Sequence, residues 1–333
     1  MEKKVTLQQI ADELGTSKVT VSRALNGKPG ISDSLRKSIL ACAETFGYTV
    51  QTGSTASAKA LVFLVPQRFF LEFDRFYTVI YFHLSRLCQA QGITLTSTVI
   101  SQEEEQTGCL PVQMLRNVYD GVFIAGDSNT ALLQAVAALN VPMVFIDFNK
   151  QGTDGGHILA DNYALSFDIT RYLIKRGHRR IGFVGDYLAN QNICDRYMGY
   201  LKALLLSGLT HDPQADIVNN DARTGLYTLN FTMPQKTPTA FVCTCDTAAF
   251  YLYEKLKMME LRIPDDVSVV SFDNTEICEN MIPRLTSMEI DKKDFAVLAF
   301  QQMNKQLNNP LTANRRLFVA SRLVERDSVC RLD

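Results

Sequence analysis

A chain of 333 residues is longer than one hydrophobic core usually serves, so two or three cores are expected. Hydrophobic residues at 46% and charged residues at 21% fit an ordinary globular protein, and a net charge of -1 excludes a uniformly basic binder, so any nucleic-acid surface must be local. Eight cysteines include no CxxC pair. Cys243 and Cys245 lie in an apolar run with no histidine nearby, which suits buried thiols in a reducing compartment better than a metal site or a disulfide frame.

The N-terminus runs from Met-Glu-Lys-Lys straight into an amphipathic helical pattern, with no apolar leader. No apolar run reaches the ~20 residues a membrane span needs, so a cytoplasmic protein is expected. Thr6-Leu7-Gln8-Gln9 reads as a capping box, and Leu7, Ile10, Ala11 and Leu14 then form one apolar face. Gly15 ends this first helix in a tight turn. Ser17 can cap a second helix whose inner face is Val21, Ala24 and Leu25. A third helix follows Ser32, with Leu35, Ile39, Cys42, Ala43 and Phe46 facing inward. Two short helices joined through a glycine have the helix-turn-helix layout. Around the inward stripe of the second helix stand Lys18, Thr20, Ser22 and Arg23, with Val19 pointing outward. Hydroxyls and the helix N-terminus suit phosphates, Lys and Arg suit guanine edges and phosphates, and an outward valine suits a thymine methyl.

Residues 51–59 are small and polar and read as a linker. Beyond them, apolar strand-like runs (61–65, 93–99, 121–125, 142–146, 181–184, 240–243 and 267–272) alternate with helical stretches such as 76–91, 165–175, 196–207 and 248–259. That alternation predicts parallel sheets covered on both faces. About ten strands predict two doubly wound lobes instead of one sheet, with a ligand crevice at the C-terminal strand ends. Arg196, placed at the start of a helix, has a planar fork able to grip ring hydroxyls or a carboxylate. Asp273 ends a strand on the side where such sheets bind ligands, and a carboxylate there can accept two hydroxyls of a polyol. The alternative for either is an ordinary ion pair.

The run from Val5 to Ala11, the run from Gly15 to Gly27, and Gly47-Tyr48 resemble the DNA-binding head of the lactose/galactose repressor family. The resemblance continues through Val141-Pro142-Met143-Val144-Phe145-Ile146-Asp147, Asp161-Asn162, Gly177-His178-Arg179-Arg180, Asp195-Arg196-Tyr197-Met198-Gly199-Tyr200, Val267 to Asp273 and Pro283-Arg284-Leu285-Thr286-Ser287. It implies an all-α helix-turn-helix head (1–50), a short linker (51–59) and an α/β sensor of the periplasmic-binding-protein type (60–333). The sensor's two doubly wound parallel-sheet lobes would span about 60–160 with 289–319, and 161–288 with 320–333, crossing near Asp161, Met288 and Ala320.

By resemblance, Lys18, Val19 and Arg23 read bases, while Thr6, Ser17, Thr20, Ser22, Asn26 and Ser32 sit on phosphates. Arg196 and Asp273 contact an effector, expected to be a sugar or sugar derivative. Phe76 and Tyr77 either wall the crevice or pack in the core, Asp161 and Asn162 are either hinge residues or ligands, and His178 is expected to be structural. The implied partners are a palindromic double-stranded DNA operator, the effector and a second copy of the chain, with no membrane, no metal, no cofactor and no catalytic residue.

Two departures stand out. Many family members carry Asn-Asp where this chain has Cys245-Asp246, which removes an amide able to bond a sugar. The family's linker usually carries an Ala-Arg-x-Leu helix whose leucine wedges into the minor groove. Here Ala58-Lys59-Ala60-Leu61 runs directly into a strand, so a weak or absent hinge helix is expected. The aromatic segment 68–74 suits either a cover over the crevice or a partner surface. Two rival functions, an enzyme or a free-standing sugar receptor on the same scaffold, lack support: there is no phosphate loop, no Gly-x-Ser-x-Gly elbow and no His/Glu metal pair, and a receptor leaves the head unexplained.

Overall fold

The computed structural model describes residues 6–25, 30–46, 59–70, 75–150, 152–309 and 315–332. It divides into two compact units, Met1–Ala58 and Lys59–Asp333.

In the first unit, α1 (Leu7–Glu13), α2 (Lys18–Leu25) and α3 (Asp33–Thr45) close on one small core of Ile10, Ala11, Val21, Ala24, Ile39 and Ala43. The capping box forms as the sequence demands: the Gln9 amide donates to the Thr6 hydroxyl (3.4 Å) and the Thr6 amide to Oε1 of Gln9 (2.8 Å). This satisfies two backbone donors that the first turn would otherwise leave unpaired. Gly15 takes φ +59°, a left-handed turn that a side chain would disfavour, and the chain re-enters a helix at once. Ser17 accepts from the Thr20 amide (3.1 Å), capping α2. Arg36 of α3 donates to the Ala24 carbonyl (3.1 Å), tying the third helix to the end of the second. One expectation fails: Phe46, placed inward by helical periodicity, is 39% exposed because it follows the last turn of α3.

The second unit begins with β1 (Ala60–Pro66), α4 (Phe76–Ala90), β2 (Thr94–Ile100), α5 (Gln102–Thr107), α6 (Val112–Arg116), β3 (Gly121–Ala125), α7 (Thr130–Ala137), β4 (Met143–Ile146) and β5 (Gly156–Leu159). It continues with α8 (Asn162–Lys175), β6 (Ile181–Val184), α9 (Gln191–Leu206), β7 (Ala240–Cys243), α10 (Asp246–Met258), β8 (Ser268–Asp273), α11 (Ile277–Asn280), β9 (Thr286–Ile290), α12 (Lys292–Asn308), β10 (Arg316–Phe318) and β11 (Ser321–Val324). The strands form two sheets, ordered β10-β5-β4-β3-β1-β2 and β11-β9-β8-β7-β6. Every pairing is parallel except β11 with β9, which is antiparallel.

The reason is visible along β1. Leu61, Phe63 and Val65 enter one apolar core while Val62 and Leu64 enter another on the opposite face, so the strand is buried on both sides. The second sheet is likewise sandwiched, with Phe241 and Val269 on one side and Val242, Val270 and Phe272 on the other. The chain passes between the sheets three times: after β5 into α8, after β9 into α12, which packs on the first sheet, and between β10 and β11. The three linking segments lie side by side: the Val319 amide donates to the Leu159 carbonyl (2.9 Å) and the Asp291 amide to the Ala320 carbonyl (3.0 Å). Among the described residues no helix is long and apolar enough to cross a membrane.

Candidate functional sites: a DNA-reading helix and an inter-lobe crevice

On the head, helix α2 buries Val21 and Ala24, packs Leu25 against the same core and turns its polar residues and Val19 away from it. Ser17, Lys18 and Val19 are exposed, Val19 at 50%, while Thr20, Ser22 and Arg23 are half-buried along its flank. Thr6 and Ser32, at the N-termini of α1 and α3, are exposed hydroxyls. A valine left half in water at the start of a short helix is available for an apolar contact with a partner. Asn26 lies outside the described residues, as do linker positions 51–58 and residues 71–74 of the aromatic segment. Leu61, the candidate groove wedge, is the second residue of β1 and fully buried, so it is committed to the sensor core.

In the sensor, the crevice is built where strands end. Strand β8 delivers Asp273 at its last position, with φ +94°, and β4 is followed by Asp147 at φ +64°. Helix α9 begins at Gln191, capped by Asn190, so Arg196 stands in its second turn instead of starting the helix. Its placement on the inner face buries it to 6% exposure. There Nε donates to Oδ1 of Asn162 (2.7 Å), Nη1 to the Thr244 carbonyl, and Nη2 to Oδ1 of Asp273 (3.3 Å), while the guanidinium lies 4.5 Å from the Phe272 ring centroid. The two residues singled out in the sequence are thus brought together and bonded to each other. Asn162 belongs to the same network, and Asp161 caps α8 by accepting from the Ala164 amide (3.0 Å).

From the other lobe, Phe76 and Tyr77 at the start of α4 are buried. Phe76 packs edge-on against Phe295, and the Tyr77 hydroxyl donates to Oδ2 of Asp147 (2.9 Å). Asn192, one turn before Arg196, reaches across to donate to the Asp147 carbonyl (2.6 Å). Asp147 is a site residue that sequence reasoning missed. Its signal was present: Ile146-Asp147 repeats the apolar-then-Asp strand ending of Phe272-Asp273.

At the edge of the crevice farthest from the passages, Arg68 pairs with Glu105 and donates to the Asp127 carbonyl. Burial pushes the Asp127 carboxyl up, partly offset by Lys150 and Arg68. The turn around Gly225, closed by Asp221 accepting from the Arg223 and Thr224 amides, comes so near that a side-chain carbon at Gly225 would collide with the Arg68 carbonyl. At the position where an amide was missing, the Cys245 sulfur takes over the cap of α10, accepting from the Ala248 amide (3.4 Å) with the Tyr227 hydroxyl 2.9 Å away. His178 is a structural residue in its contacts, held between the Thr239 hydroxyl (3.0 Å) and the Cys330 carbonyl (3.3 Å). Among the described residues, no group of three or more His, Cys, Asp and Glu is placed to hold a metal ion.

A helix-turn-helix head joined to a two-lobed α/β unit with polar side chains meeting at the strand ends defines a DNA-binding regulator that carries a sensor. Comparison with known proteins agrees. Residues 6–51 match the family described as bacterial regulatory proteins, lacI family, and residues 170–329 match the periplasmic binding protein-like domain. Together these matches span more than half the chain. The probable HTH-type transcriptional repressor ExuR of Bacillus subtilis (strain 168) is 26% identical over 340 residues, covering 98% of this chain and 99% of the relative. Among solved structures, the transcriptional regulator CelR-cellobiose complex aligns with a TM-score of 0.68 at 21% identity, covering 97% of this chain and 99% of that one. The lac repressor dimer bound to operator and the anti-inducer ONPF aligns with a TM-score of 0.66 at 20% identity, covering 98% and 100%. The chain belongs to the lacI family of bacterial regulatory proteins and is a sequence-specific DNA-binding regulator of transcription.

Proposed function

We propose that the protein is a cytoplasmic repressor of carbohydrate-use genes that acts by binding, not turnover, and responds to a sugar or sugar derivative. The observation that carries the DNA half is the outward face of α2, where exposed Lys18 and Val19 stand beside Arg23 over a fully apolar inner face. Lys18, Val19 and Arg23 would meet base edges, with Thr6, Ser17, Thr20, Ser22, Asn26 and Ser32 on phosphates. One head is small, so a homodimer would bind a palindromic operator through two heads. The similarity to a lac repressor dimer on its operator supports that arrangement.

In this reading residues 1–50 are the head, 51–59 the linker and 60–333 the sensor, with lobes 60–160 plus 289–319 and 161–288 plus 320–333. The effector would lie between Arg196 and Asp273 on one lobe and Phe76 and Tyr77 on the other. The similarity to a cellobiose complex supports a carbohydrate. Chemistry favours the same class: the 3.3 Å contact to Asp273 is longer than the bonds from Arg196 to Asn162 and Thr244, and a ligand hydroxyl can insert there, accepting from the guanidinium and donating to the carboxylate. Lobe closure on such a ligand would alter the spacing of the heads, a coupling typically worth about 1–3 kcal/mol and necessarily reciprocal. A thermal-shift screen of sugars, sugar phosphates and polyols, followed by operator titration with the hit, tests both halves. A hit that raises the melting temperature and changes operator affinity supports the reading. A hit whose binding is unchanged by Asp273→Ala sinks the crevice assignment.

A further inference from the structure

The backbone that presents Asp273 is unusual. Asp273 and Asn274 take φ +94° and +46° in succession, a conformation that residues with side chains seldom adopt and that persists only where surrounding bonds enforce it. Four side chains hold this turn. Lys292 donates to the Asp273 carbonyl, the Asn274 amide donates to the Ser287 hydroxyl (3.0 Å), and Arg326 donates to Oδ1 of Asn274 (2.8 Å). The fourth is Asp246, which accepts from both the amide (2.6 Å) and the hydroxyl (2.8 Å) of Thr275.

Asp246 is the hub of this clamp. It is 1% exposed, at the first position of α10, where the helix dipole favours a negative charge. Its other oxygen accepts from the Ser271 and Ser287 hydroxyls, the latter at 2.7 Å. One carboxylate therefore joins α10, β8, β9 and the turn after β8, with donors on both oxygens. Ser287 doubles the connection, since it donates to Asp246 and accepts from Asn274. Lys292 of this clamp also faces a crevice residue, its Nζ 5.5 Å from the Phe76 ring centroid.

We propose that Asp246 is a positioning residue of the effector site: it fixes the strained turn at 273–275 so that the Asp273 carboxylate is aimed at Arg196 before any ligand arrives. The proposal rests on the assignment of Asp273 to the crevice, but its test requires no ligand, so the two can fail separately. Holding an acceptor in place in advance removes the ordering cost that binding would otherwise carry.

The test uses the full chain with Asp246→Ala, Asp246→Asn, Ser287→Ala and Asp273→Ala, read by hydrogen exchange and by thermal melting. Asp246→Ala should raise amide exchange in residues 273–276 by about tenfold or more while β7 and the first residues of β8 keep their protection. Asp246→Asn should stay within about threefold of wild type, because the amide oxygen can still accept from Thr275 while the two serine hydroxyls rotate to accept from its NH2. Ser287→Ala should reproduce the local loss at smaller amplitude, and it carries the test if Asp246→Ala does not fold. In a double-mutant cycle, Asp273→Ala should lower the melting temperature less than half as much in the Asp246→Ala background as in wild type, since the ion pair it removes is already misaligned. The proposal is overturned by exchange that rises alike across the whole second sheet, by wild-type protection in both Asp246→Asn and Ser287→Ala with no local loss in any variant, or by additive melting shifts.

Discussion

The outer face of α2 and the Arg196–Asp273 corner are both polar clusters made of few residues, yet they are opposite in construction. On α2, Lys18 and Val19 stand exposed at the start of the helix, with half-buried Thr20, Ser22 and Arg23 along its flank. At the crevice, Arg196 is buried with protein partners for Nε, Nη1 and Nη2. Exposed Lys18 and Val19 can be altered with less harm to the fold than any member of the network around Arg196, which is buried and bonded through every side-chain nitrogen. The crevice cluster carries stability and recognition in the same bonds, so changing it disturbs both.

The comparison predicts its own largest breach. Arg196→Ala leaves Asp273 and Asn162 buried without their partner, and should cost the sensor about 3–5 kcal/mol, as removal of one member of a buried pair typically does. Urea denaturation of the full chain should show the sensor transition moving while the head transition stays; an unchanged sensor midpoint would mean the pair is solvated in solution. Arg23→Ala tests the other cluster. Operator binding should weaken by about 1–3 kcal/mol with relaxed sequence preference. Fluorescence anisotropy with operator and scrambled duplexes checks this, and an equal loss on both duplexes would reduce Arg23 to a phosphate contact.

A third test sharpens the crevice side at its mouth. Gly225 takes φ +75° and faces the Arg68 carbonyl, so Gly225→Ala should cost of order 1–3 kcal/mol and push the two segments apart. Hydrogen exchange of residues 66–70 and 221–226 should rise together in that variant; a rise in only one segment would show that they are not in contact. The smallest effect concerns acid. Burial lowers the pKa of His157 and His178 below the ordinary 6.5. The unfolded chain then takes up protons first as pH falls, so this stability is fully present above about 6.5 and is lost from there down toward the lower folded values. The sensor should melt earlier at about pH 5 than at about pH 7.5, and His178→Asn should flatten that dependence; a profile as steep as wild type would remove His178 from the account.

Much of the architecture was legible because apolar runs report burial on both faces. The residues at 61–65, 181–184 and 240–243 are strands for that reason, and Thr6, Gly15 and Ser17 punctuate the head through local chemistry alone. The antiparallel return of β11 was not legible, because Ser321–Val324 is partly exposed and its direction is set by the chain crossing back from β10. Phe46 misled because periodicity cannot tell where a helix stops. Arg196 and Asp273 could each be picked out by residue type and position, 77 residues apart. That they bond to each other, and that a backbone carbonyl of Thr244 takes a third share, depends on side-chain directions that spacing does not encode. Asp246 was visible only as half of a dipeptide with a missing amide, since its partners Ser271, Thr275 and Ser287 are ordinary residues scattered over two strands and a turn.

The three segments that pass between the sheets run side by side, and that limits how the lobes can travel. A body tied by a single strand can swivel, twist and slide. Three ties side by side favour a hinge rotation about their common line over twist or sliding. If the crevice takes ligands as proposed, chemically different molecules would differ mainly in how far they turn that one angle. A sensor built in this way would reduce whatever it bound to a single number, the one quantity left to pass on.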